Sequence, residues 1–401
     1  MALKKDKRYS IVIFSGSRAE YYILEPLVLA LSERDNLDIT FLIHHNYTDT
    51  NIENIENKNI KIIELSLLLS REDKKYNSKY MHSYVISNIV KQVSDVMIKN
   101  DRDFDLAIAY ADRFETFGFS IATSQAGIPL LHMEAGDITN GGTPDDNVRH
   151  AITKLSHLFM TSTESGIDLL ISFKEDSWRV YHSGLLGYSA LNNYSFSKFE
   201  IRDLVKKYSL NNKFEMLIIA TMHPLPFNKE KSIFDANQVF QSLVKFSKKF
   251  RNVEVFITSP NSDSGSKEIQ NLIDKITFKS IKKINSLGID YQKILSLSKE
   301  KKVVLLGNSS SVIKEAPFYN CHHINISQRQ KNRVSASSQI NLEAKSDDIE
   351  KALEKIYVSK NIQPKLEMNP YFKKEGIDGM VKFILEKIKL GKSKLLFKTI
   401  K

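Results

Sequence analysis

Three carboxylates stand where proton transfer could happen. Asp112 follows the apolar run Asp105–Tyr110, Glu134 follows Pro129–Met133, and Asp145 opens a helical stretch that carries Arg149. Acids grouped near an arginine make a useful acid/base set, because mutual repulsion and burial drive their proton affinities apart. Asp145 and Arg149 are one helical turn apart and can share a face. Asp112 and Asp145 also have a plainer reading as helix N-caps, a task Asp serves well. His223 follows another apolar run, Met216–Ala220. Imidazole titrates near neutrality and can give or take a proton, although a lone His at a strand end is more often structural.

Two further clusters suit an anion. Gly307-Asn308-Ser309-Ser310-Ser311 runs into a helix bearing Lys314 and Glu315. Free N–H groups, hydroxyls and the positive end of a helix dipole would suit a diphosphate. An ordinary serine-capped helix start reads equally well. Arg329, with Gln330, Lys331 and Arg333 nearby, could reach the same phosphates. Ser15-Gly16-Ser17-Arg18-Ala19-Glu20 is the second cluster: small residues let backbone N–H groups approach an anion and Arg18 adds a positive charge. It is not a GxGxxG, and alone it reads as a turn. No metal site is expected. Cys321-His322-His323 is the nearest candidate, but neighbours on a strand point to opposite faces.

The elements that must position these groups follow from periodicity. Ser10–Phe14, Asp38–Ile43, Ile60–Leu65, Asp105–Tyr110, Pro129–Met133, Leu158–Thr161 and Arg179–His182 read as strands. Amphipathic stretches such as Ala19–Leu31 and Met81–Ile98 lie between them. The pattern restarts with Met216–Ala220, Val253–Thr258, Ser280–Ile284, Lys302–Leu306 and His323–Ile326, separated by helical stretches at Asp235–Lys249, Ser266–Lys275 and Asp290–Lys299. Alternating strands and helices, with strands that are continuously apolar, predict parallel sheets covered on both faces. The expected fold is α/β, with two Rossmann-type doubly wound domains and an active site in the cleft between them. The boundaries fall at 1–188, 189–375 and 376–401, the break lying in the Gly/Ser/Asn-rich Gly184–Lys198. The last segment is an amphipathic helix that could return to the first domain.

Composition narrows the class. The 401 residues exceed what one core usually holds. Hydrophobic residues at 42% and charged residues at 26% fit a globular chain. The basic start, Lys4 to Arg8, precedes an apolar run too short for a signal peptide or a membrane span. With a single cysteine, Cys321, the expected compartment is the cytoplasm, with no membrane association. The net charge of +11 invites a nucleic-acid reading. The lysines are dispersed among acids, as in Lys229-Glu230-Lys231, so no nucleic-acid partner is expected. A small anionic ligand fits the charge.

Taken in order, eight stretches resemble the hydrolysing UDP-N-acetylglucosamine 2-epimerase family over nearly the whole chain. They are Gly16–Tyr21, Ala111–Arg113, His132–Glu134, Asp145–Lys154, His223-Pro224, Asn261–Gly265, Gly307–Ser311 and Arg329–Lys331. Asn369-Pro370-Tyr371-Phe372 is similar to the bacterial sialic-acid branch. The resemblance implies a GT-B-like fold, no cofactor, a nucleotide-sugar substrate and a homo-oligomer, dimer or tetramer. It implies anti elimination of the nucleoside diphosphate to a 2-acetamidoglucal, then hydration, giving UDP and N-acetylmannosamine from UDP-N-acetylglucosamine for sialic acid-type biosynthesis. On the family pattern Asp112, Glu134 and Asp145 take acid/base positions, with His223 near the sugar or departing phosphate. Arg18, Ser309, Ser310 and Arg329 match diphosphate contacts, Glu315 the ribose and Arg149 the sugar side. Arg113 and Asn261 lie in the matched stretches as further substrate-binding positions.

Departures fall at the sugar and base ends. Glu20 stands where Asp is also common, and Ala135-Gly136-Asp137 replaces a more usual Gly-Gly-Glu. The following loop is a little longer, and Ser286-Leu287-Gly288 stands where some members have Arg. They leave open a UDP- or GDP-linked diacetylbacillosamine substrate, on the way to legionaminic acid. A GT-B glycosyltransferase is the reading from another class, and the three acids argue against it.

Overall fold

The computed structural model describes residues 7–44, 60–66, 80–100, 103–139, 144–186, 198–225, 228–261, 265–288, 290–365 and 368–398. The sequence-based break at Gly184–Lys198 and the loop at 138–144 fall largely outside them. The chain divides into two compact units. The first comprises 1–137, 144–192 and 372–401, and the second 138–143 and 193–371.

In the first unit the strands are β1 (Tyr9–Ser15), β2 (Leu37–His44), β3 (Lys61–Leu65), β4 (Leu106–Tyr110), β5 (Leu130–Met133), β6 (Leu158–Thr161) and β7 (Val180–His182). The helices among them are α1 (Arg18–Ser32), α2 (Met81–Asn100), α3 (Phe114–Gln125), α4 (Pro144–Leu155) and α5 (Glu164–Ser172). The sheet is wholly parallel, in the order β3-β2-β1-β4-β5-β6-β7. Alternate β1 side chains serve opposite faces, as a two-residue period requires. Ile11 and Ile13 pack with Tyr21, Leu24 and Val28 of α1. Val12 and Phe14 pack with Ile89 of α2 and Phe119 of α3. Both layers are fully buried, which is why β1 reads as an unbroken apolar run.

The second unit holds α6 (Lys198–Lys207), β8 (Met216–Thr221), α7 (Lys229–Lys249), β9 (Val253–Thr258), α8 (Ser266–Asp274), β10 (Ile281–Ile284) and α9 (Asp290–Ser296). It continues through β11 (Lys302–Gly307), α10 (Ser310–Lys314), β12 (His322–Ile326), β13 (Ile340–Leu342) and α11 (Ser346–Val358). Its sheet is also parallel, in the order β10-β9-β8-β11-β12-β13. Renumbered within the unit this is 3-2-1-4-5-6, the order of dinucleotide-binding sheets. Met216, Ile218 and Ala220 face Val239, Leu243 and Phe246 of α7, and Leu217 and Ile219 face Ile294 of α9.

The chain then returns to the first unit. In α12 (Gly376–Ile388), Met380, Val381, Ile384 and Ile388 join the core that holds Ile11 and Ile13. Beyond α13 (Lys392–Leu396) the chain is pinned by buried Arg179, which donates to the carbonyls of His157 (3.0 Å), Leu395 (2.7 Å) and Phe397 (2.5 Å). Truncating one of these fully buried aliphatics to alanine should cost about 2–5 kcal/mol. Among the described residues no helix is long and apolar enough to cross a membrane.

Candidate active site

Doubly wound sheets bind ligands beyond the carboxyl ends of the strands, where the strand order reverses. That point lies between β1 and β4 in the first unit and between β8 and β11 in the second. Residues singled out from the sequence stand at both.

In the first unit, Tyr110 at the end of β4 is in register with Met133 at the end of β5. The next residue on each strand, Ala111 and Glu134, is left-handed, with φ of 57° and 56°. Such a conformation costs a non-glycine residue about 1 kcal/mol or more and gathers at functional sites. Two adjacent strands thus turn away at one level, and each turn delivers an acid. Glu134 is buried, and its Oε1 accepts a 2.6 Å hydrogen bond from the Tyr110 hydroxyl. Asp112 pairs with Arg149 of α4, whose side chain is only 1% exposed, and the same guanidinium meets Asp137 at 3.0 Å. Removing one partner from so buried an ion pair typically costs about 3–5 kcal/mol. The N-cap of α3 is Arg113 rather than Asp112. The fold therefore does not use Asp112 as a cap. Arg113 grips the buried Glu115 through Nε at 3.0 Å and a terminal nitrogen at 2.8 Å.

His132, inside β5, ties these turns together. Its Nε2 lies 2.8 Å from the Ala111 carbonyl and its Nδ1 lies 3.0 Å from the Thr153 hydroxyl of α4. Burial pushes the imidazole down to about 4, so the ring is neutral. A carbonyl can only accept, which puts the proton on Nε2 and leaves Nδ1 to accept from Thr153.

At the end of β1, Ser17 caps α1 by accepting from the Glu20 N–H at 3.3 Å, while Glu20 Oε2 accepts from the Gly16 N–H at 2.7 Å. This is the reciprocal logic of a capping box. Burial raises the Glu20 carboxyl to about 7; Arg113 opposes the rise and Glu115 adds to it. Arg18 heads α1, and its side chain lies outside the described residues. Asp145 is exposed in the first turn of α4, whereas its neighbour Asp146 is buried.

The second unit gathers a different set. Gly307 closes β11 with φ of 134°, and a Cβ there would lie 1.9 Å from the Thr221 carbonyl oxygen, so only glycine fits. Asn308 follows, almost wholly buried. Its Oδ1 accepts from the His223 N–H at 2.7 Å and its Nδ2 donates to the His223 carbonyl at 2.8 Å. Its own carbonyl accepts from Arg329 at 3.2 Å and from Gln330 at 3.0 Å. The side-chain amide thus holds the His223 backbone, and the backbone carbonyl of the same residue holds the arginine loop. His223 Nδ1 accepts from the Asn261 N–H at 3.1 Å, which leaves Nε2 as a fixed donor. Burial, then the positive Arg329 nearby, push this imidazole down to about 3.

Ser309 is the N-cap of α10 and accepts from the Ser311 N–H, with Ser310 as the first helical residue; both are half-buried. Glu315 ends α10 near the Tyr291 and Tyr319 phenols, which burial raises first and its charge raises further. Cys321 is buried, and His322 and His323 bond to different partners, the Ile362 carbonyl for one and the Val312 carbonyl and Ser338 for the other. Among the described residues no cluster of His, Cys, Asp or Glu is arranged to hold a metal ion.

The structure therefore joins Asp112 to Arg149, places Glu134 on the adjoining strand end, and joins His223 to Arg329 through Asn308. Four residues at these sites escape a sequence-only selection: Asp137, His132, Asn308 and Gln330. Each lies inside or beside a stretch singled out for chemistry; burial picks out His132, Asn308 and Gln330, and the ion pair with Arg149 picks out Asp137.

Residues 29–385 match the UDP-N-acetylglucosamine 2-epimerase family. The chain belongs to that family. A GDP/UDP-N,N'-diacetylbacillosamine 2-epimerase (hydrolyzing) of Campylobacter jejuni is 30% identical over 355 residues, 86% of this chain and 87% of that one. The polysialic acid biosynthesis protein P7 of Escherichia coli is 29% identical over 388 residues, 94% of each chain. The UDP-GlcNAc 2-epimerase of Neisseria meningitidis, crystallised with UDP-GlcNAc, superposes with a TM-score of 0.75 at 17% identity, covering 94% of this chain and 100% of that one. The fold of this epimerase family member, two Rossmann-like parallel-sheet units of GT-B type, is the one expected from its sequence.

Proposed function

We propose that this family member is a hydrolysing 2-epimerase of UDP-N-acetylglucosamine. A carboxylate from the set Asp112, Glu134 and Asp145 takes the C2 proton as the C1–O bond to the diphosphate breaks. The C2–H electrons become the C1–C2 double bond, and UDP leaves with the C1–O pair. Water then adds, oxygen to C1 and a proton to C2 from the opposite face. The net change is UDP-N-acetylglucosamine plus water to UDP plus N-acetylmannosamine. Arg149 serves the sugar. Arg18, Arg329, Ser309, Ser310 and the Nε2–H of His223 serve the departing diphosphate, where positioned donors stabilise developing charge. Glu315 serves the ribose, with Arg113 and Asn261 as further contacts. The enzyme works in the cytoplasm as a dimer or tetramer.

The observation that carries this reading is the pair of strand-end acids, Asp112 on buried Arg149 and Glu134 on Tyr110, delivered side by side by β4, which borders the switch point of the first sheet, and its neighbour β5. A glycosyltransferase leaves C2 untouched and has no use for such a pair. Turnover in deuterated water, followed by NMR of the sugar, tests it: the product should be N-acetylmannosamine with deuterium at C2. Released N-acetylglucosamine, or a product keeping protium at C2, would overturn it. The Campylobacter relative and the Ala135-Gly136-Asp137 departure favour a second reading, a UDP- or GDP-linked diacetylbacillosamine substrate. A panel of both sugars on both nucleotides decides between them by kcat/KM.

A further inference from the structure

We propose that Asp137 is a positioning residue for the reaction: it is the standing counter-ion of Arg149, and by holding that charge it leaves Asp112 able to exchange a proton. The inference deepens the proposed function and rests on Asp112 acting there as a proton-transfer group. The argument begins with exposure. The Arg149 side chain is 1% exposed, Asp137 9% and Asp112 24%. A guanidinium so buried needs a permanent anionic partner. If Asp112 were that partner alone, the pairing would hold it as a carboxylate and weaken it as a base.

The two acids lie against different nitrogens of the fork, Asp137 as an ion pair at 3.0 Å, so they do not occupy one position. The backbone before Asp137 is fixed as well: Gly136 has φ of 76°, and a Cβ there would lie 2.4 Å from the Gly166 carbonyl oxygen. The inner acid thus sits on a rigid turn and the outer one on the strained turn after β4. With both charged the trio carries one net negative charge, and protonating Asp112 brings it to neutrality. Other ionisable groups on the surrounding elements are Tyr110 and Glu134, bonded to each other, His132, which is neutral, Arg113 paired with Glu115, and Asp145, Asp146, His150 and Lys154 on α4.

The test compares pH profiles of kcat and KM for the full-length wild type, Asp137→Asn, Asp137→Ser and Asp137→Glu, with folding checked by circular dichroism. Both neutral variants should lose about tenfold in kcat with KM nearly unchanged. Their acid limb should move down by about one pH unit, because Asp112 then has the guanidinium to itself and one fewer like charge nearby. Asp137→Glu should restore both the rate and the limb. An unmoved limb in the folded neutral variants, a loss confined to KM, or a glutamate variant as slow as the neutral ones would overturn the proposal. Asp112→Asn is the separate control: if it turns over normally, the role given to Asp112 fails, whatever Asp137 does.

Discussion

The two units share one sheet order yet furnish their switch points in opposite ways. The first gathers charge: Asp112, Asp137 and Arg149, the Arg113–Glu115 fork, and Glu20 and Glu134 close by. The second gathers neutral donors and acceptors among cations: the Asn308 amide, two serines, an imidazole held uncharged beside Arg329, and Gln330, which accepts from Arg333 at 2.5 Å. In the proposed reaction proton exchange needs groups whose charge can change. Holding the leaving anion of that proposed reaction needs groups whose charge stays put, and an amide network would supply them without titrating. The topology is indifferent to this division. The residue placed at each strand end decides it.

The sharpest way to break the contrast is Asp112→Asn, which removes a changeable charge while keeping the shape. Turnover should fall by about a thousandfold or more, while UDP affinity measured by calorimetry stays within about threefold. A matching loss of UDP binding would mean that the two clusters do not divide the labour. Next comes Asn308→Ala, which frees the His223 backbone but keeps the carbonyl that holds Arg329 and Gln330. It should lower kcat/KM by about a hundredfold and stability by about 2 kcal/mol, with UDP binding weakened in step. Denaturant melts and calorimetry read both effects.

Smaller is His132→Leu, which removes the donor to the Ala111 carbonyl without touching a charged group. It should lower kcat by about tenfold, and His132→Gln, which offers an amide N–H, should recover most of that; steady-state kinetics on the pair decides. The smallest is Glu20→Gln. The folded carboxyl is raised from its ordinary value of 4.5 to about 7, so its stability contribution is complete below pH 4.5 and is lost as pH rises through 7. The glutamine variant should therefore be more stable than wild type by about 2 kcal/mol at pH 8. The gain should vanish near pH 4.5, as thermal melts at the two pH values will read.

Much of the scaffold was legible because its strands are buried on both faces and so read as unbroken apolar runs. Twelve of the strands lie within a residue or so of where hydropathy places them. The missing one is β13, Ile340–Leu342, a short edge strand with neither a full apolar run nor a buried face. The acids were legible as positions after strands, but their partners were not. Local spacing points Arg149 toward Asp145, one helical turn away, whereas the folded chain sets it on Asp112 and Asp137 from the ends of two strands. Capping chemistry points Asp112 toward α3, and only the tertiary fold shows Arg113 there instead. Asn308 and His132 act on backbone groups far away in the chain. No local pattern encodes a bond whose other end is set by how strands line up.

The return of α12 to the first sheet bears on how the protein is made. Ile11 and Ile13 leave the ribosome before the second unit does, but Met380, Ile384 and Ile388, which join the same core, emerge only after it. Until that helix is made the first unit waits with part of its apolar surface bare, while the second, continuous from residue 193 to 371, has by then all of its chain. The half born first is the half finished last, and a chaperone that shields apolar surface has its longest opportunity there.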